Sequence, residues 1–85
     1  MYTFEQLKKD LLAGREIEFK YNGNLYSLTN SFEGWALCIN SELIGHHFKD
    51  INHLITFIAQ VKIDGVYLKE LIDLNKYEQN TLYTL

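Results

Sequence analysis

Few residues in this 85-residue chain could do chemistry: three histidines, one cysteine and some pairs of carboxylates. His46, His47 and His53 lie close together in the sequence, and Asp50 lies among them. A zinc site needs three or four converging ligands, and the spacing of these residues matches no zinc pattern. The sequence therefore predicts no metal site, and we interpret the histidines as exposed or hydrogen-bonded side chains.

The remaining reactive groups are no better placed for catalysis. Cys38 lies between Leu37 and Ile39, without a neighbouring His or Lys that would activate its thiol, which favours a core role over a nucleophilic one. Glu16 and Glu18 lie two residues apart and share one face of a predicted strand. Such a pair can do acid–base work, but it is also typical of the charged face of an edge strand, which is our interpretation. No Gly-rich phosphate loop is present, so we predict a protein that is not an enzyme, with no catalytic residues and no cofactors.

The composition argues against two classes of partner, nucleic acids and membranes. The formal net charge is −3, from 11 acidic and 8 basic residues, which argues against nucleic acid as a partner. One cysteine excludes an internal disulfide, and no apolar run approaches the ~20 residues that span a bilayer. The N-terminus lacks the pattern of a signal peptide. We therefore expect a cytoplasmic protein with no membrane partner.

A predicted β-hairpin organises the rest of the chain. Asn22-Gly23 is a strong hairpin signal, because a type I′ turn needs positive φ at both central residues, which Asn tolerates and Gly takes freely. The turn sets the register of residues 16–30, whose side chains alternate between two faces. One face then carries four apolar side chains: Ile17, Phe19, Tyr26 and Leu28. The other carries Glu16, Glu18, Lys20, Ser27 and Thr29, with Leu25 as its one apolar member.

Around this hairpin the sequence predicts a small single α+β domain over residues 1–85. Its expected parts are an N-terminal helix, an antiparallel sheet of three or four strands, and two later helices, with the helices packed on one sheet face. The predicted elements outside the hairpin are helices at residues 3–12, 51–60 and 68–74 and strands at residues 35–40 and 43–48. Residues 75–85 alternate between polar and aromatic types, and a flexible tail, an added strand and a partner-binding tail all stay open.

Local signals mark the ends of these elements. Thr3 and Gln6 predict a capping box at the start of the first helix, and Gly14 predicts its left-handed end. Asp50 predicts the N-cap of the second helix, and Asp64-Gly65 predicts a turn. Gly45 weakens the fourth strand without showing the signature of a turn.

Aromatic residues give the best indication of a binding surface. Tyr21 flanks the hairpin tip, Phe32 lies in a turn cluster, and Trp35 follows Gly34. Exposed aromatic side chains mark interfaces, although Phe32 and Trp35 could equally cap a thin core, and the sequence leaves both interpretations open. The predicted binding residues are Tyr21, Phe32, Glu33, Trp35, Glu18 and Tyr77.

Several motifs of this chain extend over most of its length. They are an F-x-x-L helix that ends in Gly (Phe4, Leu7, Gly14), an I-E-F-x-Y-N-G-x-x-Y-S hairpin (Ile17 to Ser27), an E-G-W strand start (Glu33 to Trp35) and a D-G-x-x-L-K-E-L segment (Asp64 to Leu71). With them the chain resembles a group of small uncharacterised proteins of Gram-positive bacteria and their phages and prophages. The motifs are structural, so the resemblance implies a fold and a genomic setting but no active site.

Two functions compete at this point. The resemblance implies an accessory factor of a phage or mobile element that binds a host bacterial protein in the host cell cytoplasm, for example to inhibit a defence protein. The alternative is an oligomer that sequesters a small nucleotide signal between its subunits. That alternative needs a basic and aromatic pocket, for which the candidates are Arg15, Lys20, Tyr26 and Trp35. The sequence leaves a homo-oligomer open.

Overall fold

The computed structural model describes residues 1–85 as an α+β domain with an N-terminal helix and an antiparallel five-stranded sheet. The helices are α1 (Phe4–Leu12), α2 (Ile51–Ile58) and α3 (Leu68–Asp73). The strands are β1 (Ile17–Tyr21), β2 (Asn24–Ser31), β3 (Gly34–Ile39), β4 (Glu42–Phe48), β5 (Lys62–Ile63), β6 (Val66–Tyr67) and β7 (Tyr83–Thr84). The large sheet has the order β4-β3-β2-β1-β7, and β5 and β6 form a separate hairpin.

The register of the first hairpin is the predicted one. Tyr21 pairs with Asn24 and Ile17 with Leu28, so the two-residue turn is Asn22-Gly23. Asn22 has φ of 50° and Gly23 has φ of 77°, the left-handed values that a type I′ turn requires. The local turn chemistry and the alternation of apolar residues therefore specify the same pairing.

The four apolar hairpin residues are buried, each at most 2% exposed: Ile17, Phe19, Tyr26 and Leu28. They belong to one core cluster with Leu37 of β3 and with buried side chains of all three helices: Phe4, Leu7, Leu11, Leu54, Ile58, Leu68, Leu71 and Ile72. The ring of Phe19 stacks on that of Tyr26, its cross-strand partner, with centroids 5.3 Å apart. Helix α2 lies against β3 and β4, and α1 contacts both α2 and α3.

Helix α1 begins and ends close to the predicted residues. The Thr3 hydroxyl accepts a hydrogen bond from the backbone N–H of Gln6 at 3.1 Å, but the Gln6 side chain donates to Asp10 instead of returning to the cap. The predicted reciprocal capping box is therefore wrong in its second half, because an acceptor one turn ahead takes the Gln6 amide. At the other end Gly14 has φ of 86°, and Arg15 N–H bonds to the Asp10 carbonyl, which is the Schellman ending.

Helix α2 is capped by Asp50, as predicted. Its carboxylate accepts the backbone N–H of Asn52 at 2.8 Å, and this bond lowers the pKa of Asp50. Leu54 and Ile58 are fully buried, and Ile55 packs against the core at its edge. The helix ends at Ile58, two residues before the predicted boundary.

Strand β4 contains an irregularity that the sequence did not indicate. Trp35 pairs with Phe48 but Leu37 pairs with Ile44, so β4 carries extra residues at this point. Gly45 lies in this bulge with φ of 79°, and a Cβ there would lie 3.1 Å from the Phe57 ring of α2. Gly45 shows no turn signature in the sequence, but the bulge gives it positive φ and brings its backbone against α2.

The C-terminal residues add the fifth strand, one more than the sequence predicted. β7 pairs with β1, with Glu18 opposite Tyr83 and Ile17 opposite Thr84. The backbone N–H of Leu85 also donates to the Glu16 carbonyl, at 2.6 Å. Of the outcomes left open for residues 75–85, the added strand is the one observed.

Candidate interaction surface

The face of the sheet opposite the core carries polar and small side chains at its centre. We call it the outer face, and it consists of Glu16, Glu18, Lys20, Leu25, Ser27, Thr29, Ala36, Cys38, Leu43, Tyr83 and Leu85. None of these side chains belongs to the core cluster or packs against it. The outer face is therefore a chemically different surface from the inner one, although the same strands build both.

One row of side chains crosses the outer face through all five strands. Cross-strand pairing places Leu43, Cys38, Ser27, Glu18 and Tyr83 in line, from the β4 edge to the β7 edge. The two large apolar members lie at the ends of the row, where Leu43 is 41% exposed and Tyr83 55% exposed. Because the Ser27 and Cys38 side chains are short, the surface is lower at these positions than at Leu43 and Tyr83, which form its rims. Such a shallow surface fits a macromolecular partner better than a small molecule.

The turn between β2 and β3, which we call the Phe32 tip (Phe32 and Glu33), ends the sheet on one side. The Phe32 side chain is 100% exposed, the most exposed large apolar group in the chain. Its turn is nevertheless well ordered by hydrogen bonds, since the Ser31 hydroxyl accepts the Glu33 N–H at 3.2 Å and donates to the Gly34 carbonyl at 3.4 Å. The Glu33 carboxylate lies 3.9 Å from Nδ1 of His47.

Close packing behind the tip explains its shape. Gly34 has φ of 123°, and a Cβ at this position would lie 2.6 Å from the Phe48 carbonyl oxygen. The β3 backbone therefore approaches β4 at a distance that only Gly allows. Ser31 pairs with Gly34, so Phe32 and Glu33 are the two residues of a short turn. The backbone thus presents Phe32 from a constrained position.

Tyr21 lies at the other end of the sheet. It flanks the Asn22-Gly23 turn, is half-buried, and packs against Tyr26 with ring centroids 6.4 Å apart. Strand β2 separates the two turns by eight residues, or roughly 25 Å at ~3.3 Å per residue. The structure therefore does not bring Tyr21 and Phe32 together, and one compact hot spot cannot contain both.

Two other predicted binding residues contribute to the core side of the molecule. Trp35 is 7% exposed and belongs to the core cluster, so it offers almost no surface to a partner. Tyr77 is half-buried with its ring 6.1 Å from that of Phe19, and burial raises the pKa of its hydroxyl. Of the predicted set, only the half-buried Glu18 and the exposed Phe32 and Glu33 therefore lie away from the core.

Sequence reasoning missed the apolar rims of the outer face. The sequence predicts a strand for Leu43 without a facing direction and no role for Leu85, which is 66% exposed next to β1. The alternation Glu42-Leu43-Ile44 carried a usable signal, since only one of the two apolar residues can face the core. The pairing of Leu85 required long-range contacts that no local pattern shows.

The structure has two shallow cavities, and neither contains the residues proposed for a nucleotide pocket. One of about 490 Å³ is lined by Ala59, Gln60, Tyr67, Lys69 and Glu70. The other, of about 300 Å³, is lined by Asn75, Tyr77, Gln79 and Asn80. Tyr26 and Trp35 are buried on the inner side of the sheet, whereas Lys20 is on the outer face. The four candidate pocket residues therefore do not form one site.

No cluster of three or more His, Cys, Asp or Glu side chains is arranged to hold a metal ion. None of the three helices has the length and apolar character needed to cross a membrane. No family model, curated protein or solved structure matches this chain. The assignment of function therefore depends on the surface itself.

Proposed function

We propose that this protein is a non-enzymatic binding protein that contacts another protein through the Phe32 tip and the outer face. The observation that carries this proposal is the fully exposed Phe32 side chain on a constrained turn. Burial of a Phe side chain contributes about 1.5–3 kcal/mol, which this chain does not gain on folding. An anchor on an ordered turn also loses little conformational entropy on binding.

The arrangement of the helices supports the choice of face. The buried side chains of α1, α2 and α3 share one cluster with the inner side chains of β1, β2 and β3. We infer that all three helices cover this inner side, and that no helix covers the outer face, on which Ala36 is the one buried residue. An uncovered sheet face with apolar rims is a surface on which a partner can settle.

The size of the outer face indicates that the tip belongs to the same interface. Five strands ~4.8 Å apart and about five residues long cover roughly 400 Å² in projection. A standard protein–protein interface buries about 800 Å² on each partner. A partner of standard size therefore has to reach beyond the face, and Phe32 is the most exposed apolar group at its ends.

Charge indicates the kind of partner. Three carboxylates lie on the outer face and the tip, from Glu16, Glu18 and Glu33, against the single ammonium group of Lys20. Complementary charge steers association and excludes wrong partners. We propose a partner with basic side chains around an apolar pocket that receives Phe32.

The identity of the partner follows from the resemblance and not from the geometry. We propose a host bacterial protein, bound in the host cytoplasm by an accessory factor of a phage or mobile element. Inhibition of a defence protein by direct contact is the activity that such a surface would perform. No observation on the cavities favours the alternative of a nucleotide-sequestering oligomer.

The proposal is tested by capture from host lysate followed by calorimetry with the captured protein. We expect Phe32→Ala to leave the melting temperature unchanged and to weaken binding at least tenfold, or ~1.4 kcal/mol. Leu12→Ala is the matched control, because Leu12 is an exposed apolar residue, 56% exposed, on α1. Equal affinities for Phe32→Ala and the native protein would contradict the proposal, as would failure of the native protein to retain any specific partner.

A further inference from the structure

Two glycine-containing turns from distant parts of the chain meet at the end of the sheet opposite the Phe32 tip. Asp64 and Gly65, which join β5 to β6, have φ of 51° and 81°, the same left-handed pattern as Asn22 and Gly23. The Asn22 side-chain amide donates a hydrogen bond to the Asp64 carboxylate at 3.1 Å. The Gly23 backbone N–H donates to the Glu78 carboxylate, also at 3.1 Å.

The Asn-Gly pair is the dipeptide most open to deamidation, because Gly has no side chain to shield its own backbone nitrogen. In this reaction the Gly23 nitrogen would attack the Asn22 side-chain carbonyl carbon, lose its proton and expel ammonia. A five-membered cyclic imide forms, and water then opens it to aspartate or isoaspartate. The net change is hydrolysis of one amide to a carboxylate and ammonium.

Both groups that must react are held by carboxylates in this structure. The proton that the Gly23 nitrogen must lose lies in a hydrogen bond to a carboxylate, whose negative charge opposes an anionic nitrogen. The Asn22 amide is held outward toward Asp64, so its rotation toward the backbone costs a hydrogen bond.

We propose that Asn22 is a latent modification site whose deamidation is suppressed by Glu78 and Asp64. The two carboxylates come from the C-terminal segment and from the β5–β6 turn, so only the folded chain protects the site. Local opening of residues 78–85 releases the Gly23 nitrogen and permits the reaction.

Deamidation would turn the contact into a repulsion. A carboxylate at position 22 would face Asp64 where an amide donor now stands at 3.1 Å. Isoaspartate would also add one backbone carbon to the turn that sets the register of β1 and β2. The modification therefore weakens the attachment of the β5–β6 hairpin and, through Gly23, that of the C-terminal segment.

The test follows Asn22 in the full-length protein by peptide mass mapping and isoaspartate detection in mildly alkaline buffer. The full chain in guanidinium chloride supplies the unprotected rate. The variants are Glu78→Ala, and Asp64→Gly, which keeps the left-handed backbone conformation while it removes the carboxylate. Glu78→Gln retains an acceptor for the Gly23 N–H, and Glu42→Ala removes an exposed carboxylate without a hydrogen bond to this turn.

We expect the native protein to deamidate at Asn22 at least tenfold more slowly than the denatured chain. Glu78→Ala and Asp64→Gly should each raise the rate severalfold while circular dichroism shows them folded, whereas Glu42→Ala should match the native protein and Glu78→Gln should lie closer to it than Glu78→Ala. Equal rates in the native and denatured chains would overturn the proposal, and so would folded Glu78→Ala and Asp64→Gly variants that react at the native rate. If one of these two variants unfolds, the other decides the result, because each removes one of the two carboxylates.

Discussion

At one end of the sheet two other segments hold the Asn22-Gly23 turn, whereas at the other end the Phe32-Glu33 turn points into solvent. The first turn donates hydrogen bonds to Asp64 and Glu78, residues far away in the sequence. The second is stabilised by its own neighbours, through the Ser31 hydroxyl and the approach of Gly34 to β4. A turn that is stabilised locally leaves its side chains free for another molecule, and this difference supports our proposal that the Phe32 end is the one that binds a partner.

The largest expected effect at the two turns comes from their glycines. At Gly34 a Cβ meets the Phe48 carbonyl at 2.6 Å, whereas at Gly23 it meets nothing within 4 Å. We expect Gly34→Ala to cost about 3 kcal/mol or more from backbone strain and overpacking, and Gly23→Ala to cost about 1–2 kcal/mol from positive φ alone. Chemical denaturation of both variants measures the difference. Equal losses would mean that β3 does not approach β4 as closely as described.

A smaller effect separates the carboxylates at the two ends. We expect Glu78→Ala to cost about 1 kcal/mol, because it removes the acceptor of the Gly23 N–H, and to lower the melting temperature by about 4–8 °C. Glu33→Ala should change the free energy of unfolding by less than about 0.5 kcal/mol, since Glu33 is exposed and 3.9 Å from His47. A Glu33→Ala variant as destabilised as Glu78→Ala would remove the distinction between the ends.

The carboxylate of Asp73, which belongs to neither turn, allows a separate test of stability at low pH. Asp73 accepts hydrogen bonds from Lys69 Nζ and from the Phe4 backbone N–H, each at 2.7 Å, and the Lys69 bond, followed by the Phe4 bond, lowers the pKa of Asp73. Because the folded-state pKa is below the ordinary 3.8, its contribution is complete above that pH and is lost as pH falls through the folded value.

Asp73→Asn should therefore lower stability at neutral pH, and the difference from the native protein should shrink as the medium is acidified below pH 3.8. Melting curves over a pH series show whether this occurs. A difference between Asp73→Asn and the native protein that grows on acidification would contradict the assigned sign.

Local rules were sufficient for the hairpin end of the fold. The positive φ of Asn22 and Gly23, the pairing of Ile17 with Leu28 and the cap at Asp50 all follow from residues within a few positions of one another. In each case the turn or cap signal and the pattern of apolar residues predict the same element. Such agreement between local signals specifies one structure.

The features that escaped prediction depend on distant segments. The bulge at Gly45 lies against Phe57 of α2, and β7 pairs with the edge of β1, which is far away in the sequence. For the candidate surface, the sequence indicated Phe32 and Glu33 but grouped them with Trp35, which the core takes up. Alternation places Trp35 with Leu37 on the inner side, and that pattern alone could have separated it from Phe32.

The smallest expected effect on stability is at Phe32, where truncation should leave the melting temperature within error because the side chain is fully exposed. Phe19→Ala is the contrasting variant, since Phe19 is 0% exposed and its truncation should cost about 3–5 kcal/mol. A loss of stability in Phe32→Ala would place this side chain in the core and would reverse our comparison of the two ends.

The central claim is that the Phe32 tip enters a partner protein. The most direct measurement replaces Phe32 by a photoreactive phenylalanine analogue, with the same analogue at Leu12 as the control, and irradiates host cells that express each protein. Our account predicts one covalent adduct with a host protein from position 32 and none from position 12. Equal labelling from both positions, or no adduct from position 32, would contradict it.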